Sequence, residues 1–327
     1  MNILAIDAAT IKELAPIDDL IEWMAEALTL TSGDEAVLPL RRSMPLPGNG
    51  GAIGIMPGYV GAEIASAGVK LVSLLPAEKR KGSSHLGLYI LYDAGGLEVE
   101  AIMCAATLTA LRTSAVTAVA TDTLARRDAS SLALLGSGEQ AAAHARALMK
   151  VRPFTDLRIW SRNSLHAESL ARQLRDEAGL NYRICTDAER TVENADVVCT
   201  LTGASDPIIN GDMISPGAHV NLVGSSHRDA AEADASLLAR SKYFVDYVPS
   251  AMDQAGELLR AIAEGALEDN HIEAELGEVL LGRKPGRLSD QEITIYKSLG
   301  VATQDIVTAR KVYERAKAQD RGSLTLI

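Results

Sequence analysis

Ser131-Leu132-Ala133-Leu134-Leu135-Gly136-Ser137-Gly138-Glu139-Gln140-Ala141 is the stretch on which the fold turns. Its first five residues are mostly apolar and read as a short buried strand, and Gly136-Ser137-Gly138 reads as a sharp turn. The alanine-rich run from Glu139 to Met149 then reads as a helix. Together they spell Gly-x-Gly-x-x-Ala between a strand and a helix, the arrangement that binds dinucleotides. Gly136 permits the tight turn, Gly138 lets a pyrophosphate approach the backbone, and Ala141 lets helix and strand pack closely. Free N–H groups and a partial positive charge at the helix start complete an anion site made by Gly136, Ser137 and Gly138, with Glu139 and Gln140 supporting the helix start.

Working outward, strand-like runs recur downstream at 157–160, 182–185, 196–201, 219–223 and 242–247, with helical or loop segments between them. Six strands with crossovers describe a doubly wound parallel sheet. Upstream the texture differs. Residues 8–31 carry a helical pattern interrupted at Pro16, with Ile17, Leu20, Ile21, Met24 and Leu28 at three- and four-residue spacing. Strand-like runs at 37–44, 52–60, 68–75, 86–92 and 97–103 are punctuated by PLPGNGG and DAGG, which implies an antiparallel or mixed sheet. A helix over 106–124 closes this region. Residues 293–317 read as a long amphipathic helical stretch broken at Gly300, expected to return to the first domain. The expectation is therefore an α/β chain with a doubly wound nucleotide domain over 123–299. A discontinuous α+β domain, for substrate binding and dimerisation, would span 1–122 and 300–327.

The length of 327 residues agrees with about two domains, and 47% hydrophobic against 23% charged residues is ordinary for a globular protein. A formal net charge of -11 argues against a nucleic-acid partner, which needs a basic face. No run of about 18 apolar residues exists, so no membrane span is expected. The start MNILAIDAAT lacks a basic region followed by an apolar one, so no secretory signal is expected and the chain reads as cytoplasmic. Cys104, Cys185 and Cys199 are scattered among apolar neighbours without metal-ligand spacing, as reduced core residues are, and no metal site is expected.

The acid that usually binds the adenosine ribose lies at the end of the second strand of such a sheet. Here Leu157–Trp160 is followed by Ser161-Arg162-Asn163, with no Asp or Glu. A carboxylate would repel a 2′-phosphate, whereas a guanidinium pairs with it, so NADP(H) is the expected cofactor and NAD(H) the second choice. The plainer reading is that Arg162 only caps a solvent loop. Ligands bind at the carboxyl ends of parallel strands, which adds Thr200, Leu201, Thr202, Val223, Gly224 and Ser225 to the cofactor set.

Three cations stand out upstream. Lys70 lies in GVKLVSLL, a run otherwise fit for a sheet core, and there it must find an anion or lose its proton. Arg112 lies in ATLTALRTSAVTAVA, where Thr109, Arg112, Thr113 and Val116 share one helix face; Thr113 joins the cofactor set. Arg41, in VLPLRRSM, sits on a strand of alternating character. Any one alone reads as a structural ion pair; three in a domain joined to a nucleotide fold read as a carboxylate pocket.

The chain resembles the ornithine cyclodeaminase/mu-crystallin family over nearly its whole length. The resemblance rests on Pro39-Leu40-Arg41, Met56-Pro57-Gly58-Tyr59, Val69-Lys70-Leu71, Ser84-His85 and Leu108-Thr109-Ala110-Leu111-Arg112-Thr113. It continues through Gly136-Ser137-Gly138-Glu139-Gln140 and the run from Tyr296 to Asp305. It implies a Rossmann domain with a sheet domain that forms a homodimer interface, NAD(P) dependence, and action on amino acids and their imines. It also implies that Arg41, Lys70 and Arg112 hold the substrate carboxylate, with Lys70 nearest the reacting atoms. Cyclodeaminases of the family carry an Asp in Gly-x-Asp-x-Pro-Gly; here Val223-Gly224-Ser225-Ser226-His227-Arg228-Asp229 puts Ser226 in its place. That favours hydride transfer to a C=N bond, as in the mu-crystallin and imine-reductase branches, with Ser226 and His227 shaping the substrate. Lys70 or His85 would supply the proton. Ornithine cyclodeamination, an alanine-dehydrogenase-like amination and a non-catalytic binding role are the alternatives.

Overall fold

The computed structural model describes residues 2–48, 50–61, 63–75 and 85–326. In chain order the elements begin with β1 (Asn2–Ile6), α1 (Ala8–Leu14), α2 (Ile17–Thr31), β2 (Ala36–Val37), β3 (Arg42–Pro45), β4 (Ala52–Val60), β5 (Ser66–Leu74), β6 (His85–Asp93), β7 (Val99–Cys104) and α3 (Ala105–Leu124). Then follow β8 (Ser131–Leu135), α4 (Glu139–Leu148), β9 (Asp156–Trp160), α5 (Ser164–Ala178), β10 (Arg183–Ile184), α6 (Ala188–Val192), β11 (Val197–Thr200), β12 (His219–Leu222), α7 (Ala235–Ala239) and β13 (Ser241–Val245). The chain ends through α8 (Val248–Gln254), α9 (Gly256–Ala263), β14 (Ile272–Glu275), α10 (Leu276–Leu280), β15 (Ile293–Lys297), α11 (Ala302–Ala318) and β16 (Ser323–Leu326). Two compact units result, residues 1–112 with 300–327 and residues 113–299, so the first break lies inside α3. Among the described residues no helix is long and apolar enough to cross a membrane.

The discontinuous unit is an eight-stranded sheet ordered β16-β1-β7-β6-β5-β4-β2, with β3 added on β4. Period-two burial along β5 hides Ser66, Gly68, Lys70 and Val72 on the face that α11 covers. Two glycines make room on that face. A Cβ on Gly58 would stand 2.5 Å from that of Ala302, and one on Gly68 would stand 1.8 Å from the Tyr89 hydroxyl. On the opposite face Ile55, Tyr59, Leu86 and Leu88 remain exposed.

The stretch expected as one strand over 37–44 is two, β2 and β3, because Pro39 cannot donate to a ladder. Arg41 therefore lies in the connection before β3 and not on a strand. The terminal strands β1 and β16, which pair with each other, had no counterpart in the sequence reading.

The continuous unit is a parallel sheet ordered β10-β9-β8-β11-β12-β15-β13-β14. Its first five positions follow the doubly wound order, reversing between β8 and β11. One expectation is corrected here. Ile293–Lys297 is not the start of a helix but strand β15, buried at all five positions and inserted between β12 and β13. A short apolar run buried on both faces has no periodicity to separate strand from helix, and only the β-branched Ile293, Thr294 and Ile295 pointed to a strand. Strand β14 likewise falls in a region read as helical.

Of the cysteines, Cys199 is buried, whereas Cys104 and Cys185 are only half-buried; none is in a disulfide.

Candidate active site

Lys70 sits mid-strand in β5, directly opposite Met56 on β4 and Tyr89 on β6, and is only 4% exposed. Its anion is within the chain. Asp305, in the first turn of α11, accepts from Lys70 Nζ at 2.7 Å and from Arg112 Nε at 3.1 Å, and is itself 1% exposed. Arg112 also donates through Nη1 to Gln304 Oε1 at 3.1 Å. The anion that Lys70 requires is thus the chain's own Asp305, ahead of any substrate carboxylate. Gly300 makes room for this arrangement: it has φ +77°, and a Cβ there would stand 2.6 Å from Arg112 Nη1.

Burial pushes the Lys70 ammonium down, Asp305 pulls it back up, and the Arg112 and Arg41 charges push it down again, leaving it at about 8. Burial raises Asp305, but Lys70 and Arg112 outweigh this and hold it below the usual carboxylate range. Two buried cations against one buried carboxylate, with half-buried Arg41 felt at Lys70, leave the cluster net positive. Such a cluster can take a further carboxylate, and its lysine can release a proton near neutral pH. The side chain of His85 lies outside the described residues, as does Ser84.

Sequence reasoning passed over Asp305 and Gln304, although both lie in the run that carried the family resemblance. The signal was present: an acid on a helix expected to pack against a core requires a cation, and Lys70 and Arg112 required an anion.

In the continuous unit, Gly136 has φ +131°, and a Cβ on it would stand 2.6 Å from the Leu201 carbonyl oxygen. By contrast, a Cβ on Gly138 would meet nothing within 4 Å. Gly138 precedes α4, and no side-chain hydrogen bond caps that end of the helix. A pyrophosphate fits such a cradle. Ser137 and Ser161 come together through their hydroxyls at 2.8 Å. Asn163 caps α5 by accepting from Leu165 N at 3.0 Å, and Arg162 is exposed. Thr113 is buried, and its carbonyl accepts from Thr117.

The loop residues after β11 and β12 are placed differently from simple ligand contacts. Thr200 and Ser225 are buried, and the donor groups of Thr200, Thr202, Gly224 and Ser225 turn inward to Glu232 and Glu257. Leu201 and Val223 belong to the apolar packing around β8. Ser226 is half-buried, and His227 and Asp229 are exposed on the same loop. A groove of about 690 Å³ beside β10 is lined by Arg158, Arg183, Arg190 and Glu193. Its Arg158 already donates to Asp156 and to the carbonyls of Thr191 and Glu193, so that guanidinium is held within the chain.

Residues 3–320 match the ornithine cyclodeaminase/mu-crystallin family. A Delta(1)-pyrroline-2-carboxylate reductase from Bacillus cereus is 34% identical over 98% of this chain and 98% of its own length. The structure of Thermococcus litoralis Delta(1)-pyrroline-2-carboxylate reductase, in complex with NADH and L-proline, superposes with a TM-score of 0.94 at 31% identity, covering 98% of this chain and 99% of that one. An archaeal alanine dehydrogenase dimer with bound NAD gives a TM-score of 0.93 at 29% identity over the full length of both chains.

Proposed function

Because the chain belongs to the ornithine cyclodeaminase/mu-crystallin family, we propose that it is an NAD(P)H-dependent reductase of cyclic or open 2-imino acids, acting in the cytoplasm. The observation that carries this reading is the Lys70–Asp305–Arg112 cluster. Its net positive charge suits the carboxylate of a 2-imino acid, with Arg41 as a third cation. Lys70, protonated below about pH 8, would give its proton to the imine nitrogen and become the neutral amine. A reduced nicotinamide, when bound, supplies the hydride for the imine carbon. Gly136, Ser137, Gly138 and the start of α4 at Glu139 and Gln140 would hold its pyrophosphate, and Ser161 and Arg162 its adenosine end.

Ser226 stands where cyclodeamination needs an acid, and the nearby Asp229 is exposed. The deciding experiment follows cofactor oxidation with pyrroline-2-carboxylate and piperideine-2-carboxylate, beside proline and ammonia formation from ornithine. Reduction of at least one ketimine without ornithine turnover is the expected result. Proline and ammonia from ornithine, with neither ketimine reduced, would overturn the reading. Adding pyruvate with ammonia to the same panel tests the alanine-dehydrogenase alternative.

For the cofactor, the preferred form in our reading is NADP(H), since no acid follows β9 and the exposed Arg162 suits a 2′-phosphate. Arg162→Ala should weaken NADPH binding by roughly 1–3 kcal/mol and leave NADH nearly unchanged. Equal losses for both would remove Arg162 from the cofactor site.

The second copy of a homodimer would cover the apolar sheet face. Ile55, Leu71 and Leu88 are in register across β4, β5 and β6, and Leu88 is 51% exposed. Exposed apolar surface arranged in this way marks an interface. Leu88→Glu should yield monomers by light scattering with an unchanged circular dichroism spectrum; a persistent dimer would place the interface elsewhere.

A further inference from the structure

Beneath the loops at the carboxyl ends of β11 and β12 lies a second buried charge cluster that the proposed chemistry leaves unused. Glu232 is fully buried and accepts five hydrogen bonds. Its Oε1 takes Thr202 N and Thr202 Oγ1, each at 2.7 Å. Its Oε2 takes Gly224 N at 2.7 Å, Thr200 Oγ1 at 2.8 Å and Ser225 N at 3.2 Å. A second layer supports it. Glu257, in the first turn of α9, accepts from the Glu232 N–H at 3.2 Å, from Ser225 Oγ and from Lys297 Nζ at 3.1 Å. Lys297, the last residue of β15, also donates to Ser225 Oγ at 2.8 Å. Gly224 is required at its place, since a Cβ would stand 2.2 Å from the Thr202 carbonyl oxygen and 2.5 Å from Glu232 Oε1.

Two buried carboxylates and one buried ammonium are a poor device for stability alone, because apolar side chains of similar volume usually serve better. What the cluster secures is geometry. A carboxylate is an acceptor at both oxygens, so it can take all five N–H and O–H donors from the two loops at once, more than the single oxygen of a neutral amide can accept. The loops it joins follow β11 and β12, on the far side of the switch point from Ser161 and Arg162 at the end of β9. In a doubly wound sheet the two halves of a dinucleotide divide across that point.

We propose that Glu232 is a positioning residue for the nicotinamide half of the cofactor, tying the loops after β11 and β12 into one fixed wall. The proposal rests on the dinucleotide reading given above. Glu257 and Lys297 brace that wall through Ser225. The phosphate cradle at Gly136–Gln140 takes no part in the cluster, so the adenosine and pyrophosphate contacts are independent of it.

The test compares NADH with ADP-ribose, which lacks the nicotinamide, by calorimetric titration of the full chain. Glu232→Gln keeps the shape but turns an amide N–H toward either Thr202 N or the N–H groups of Gly224 and Ser225. Its affinity for ADP-ribose should stay within about twofold of wild type, while its affinity for NADH falls about tenfold or more, the scale of one lost charge-assisted hydrogen bond or greater. Should that variant not fold, Thr202→Val, which deletes one hydroxyl donor, serves for the same comparison and should show the same selectivity at smaller size. Equal losses for both nucleotides, or no loss for either, overturn the assignment. Both arms read binding, so they decide the role of Glu232 whatever imino acid is reduced. A wild-type chain that binds none of NADH, NADPH and ADP-ribose overturns the dinucleotide reading and this proposal with it.

Discussion

Lys70→Arg is expected to bind the imino acid and yet turn over about a hundredfold or more slowly, the scale of a lost general acid. Arginine keeps the positive charge beside Asp305 but does not release a proton in this pH range. Lys70→Ala loses both and should raise KM as well as lower kcat. The pH profile gives the sign. Lys70 lies at about 8, so the acid form prevails below that value, and kcat/KM should fall as pH rises through it. That falling limb should vanish in the arginine variant. Steady-state rates from pH 6 to 10 check both expectations. Near-normal turnover by Lys70→Arg would shift the proton to His85 or to a bound water.

Asp305→Asn has the other large effect, and it reaches stability as well as rate. Asp305 is the group that pulls the Lys70 ammonium upward against burial. Without its charge the lysine titrates lower still, so the falling limb should move to more acid pH. Lys70 and Arg112 are also left buried without their carboxylate, a loss on the order of 3–5 kcal/mol by denaturant unfolding. The folded-state value of Asp305 lies below its ordinary 3.8, so its contribution is present above that pH and is lost as pH falls through the depressed value. Variant and wild type should therefore converge in stability under acid. A variant as stable as wild type at neutral pH, with an unmoved limb, would show that Asp305 does not govern Lys70.

Elements with a strong local signature were legible in the sequence. The glycine turn, α4 and strand β8 follow from Ser131–Ala141 alone, and β4 begins and ends where its flanking Gly and Pro residues suggest. The three cations were legible because charge is improbable in apolar runs. What escaped were features set by distant partners. Strand β15 is a strand only because β12 and β13 flank it, and β1 becomes one by pairing with β7 and β16. Asp305 gave a weaker signal because its cations lie 235 and 193 residues away in sequence. Glu232 gave none, because Thr200 and Thr202 lie 32 and 30 residues away while the nearer Gly224 and Ser225 N–H groups converge on it only through the fold of the loop after β12.

The ion pair between Lys70 and Asp305 also orders events at the ribosome. The two residues are 235 positions apart, which at roughly 5–20 residues per second is a delay of about 12–47 s between them. During that interval the nascent chain holds β4 to β7 without the helix that covers their inner face, and holds a lysine whose counter-ion has not been made. The continuous unit, residues 113–299, is complete in sequence before α11 is translated. The first unit to begin is therefore the last to finish, and until then its half-built sheet leaves open the face that α11 will cover.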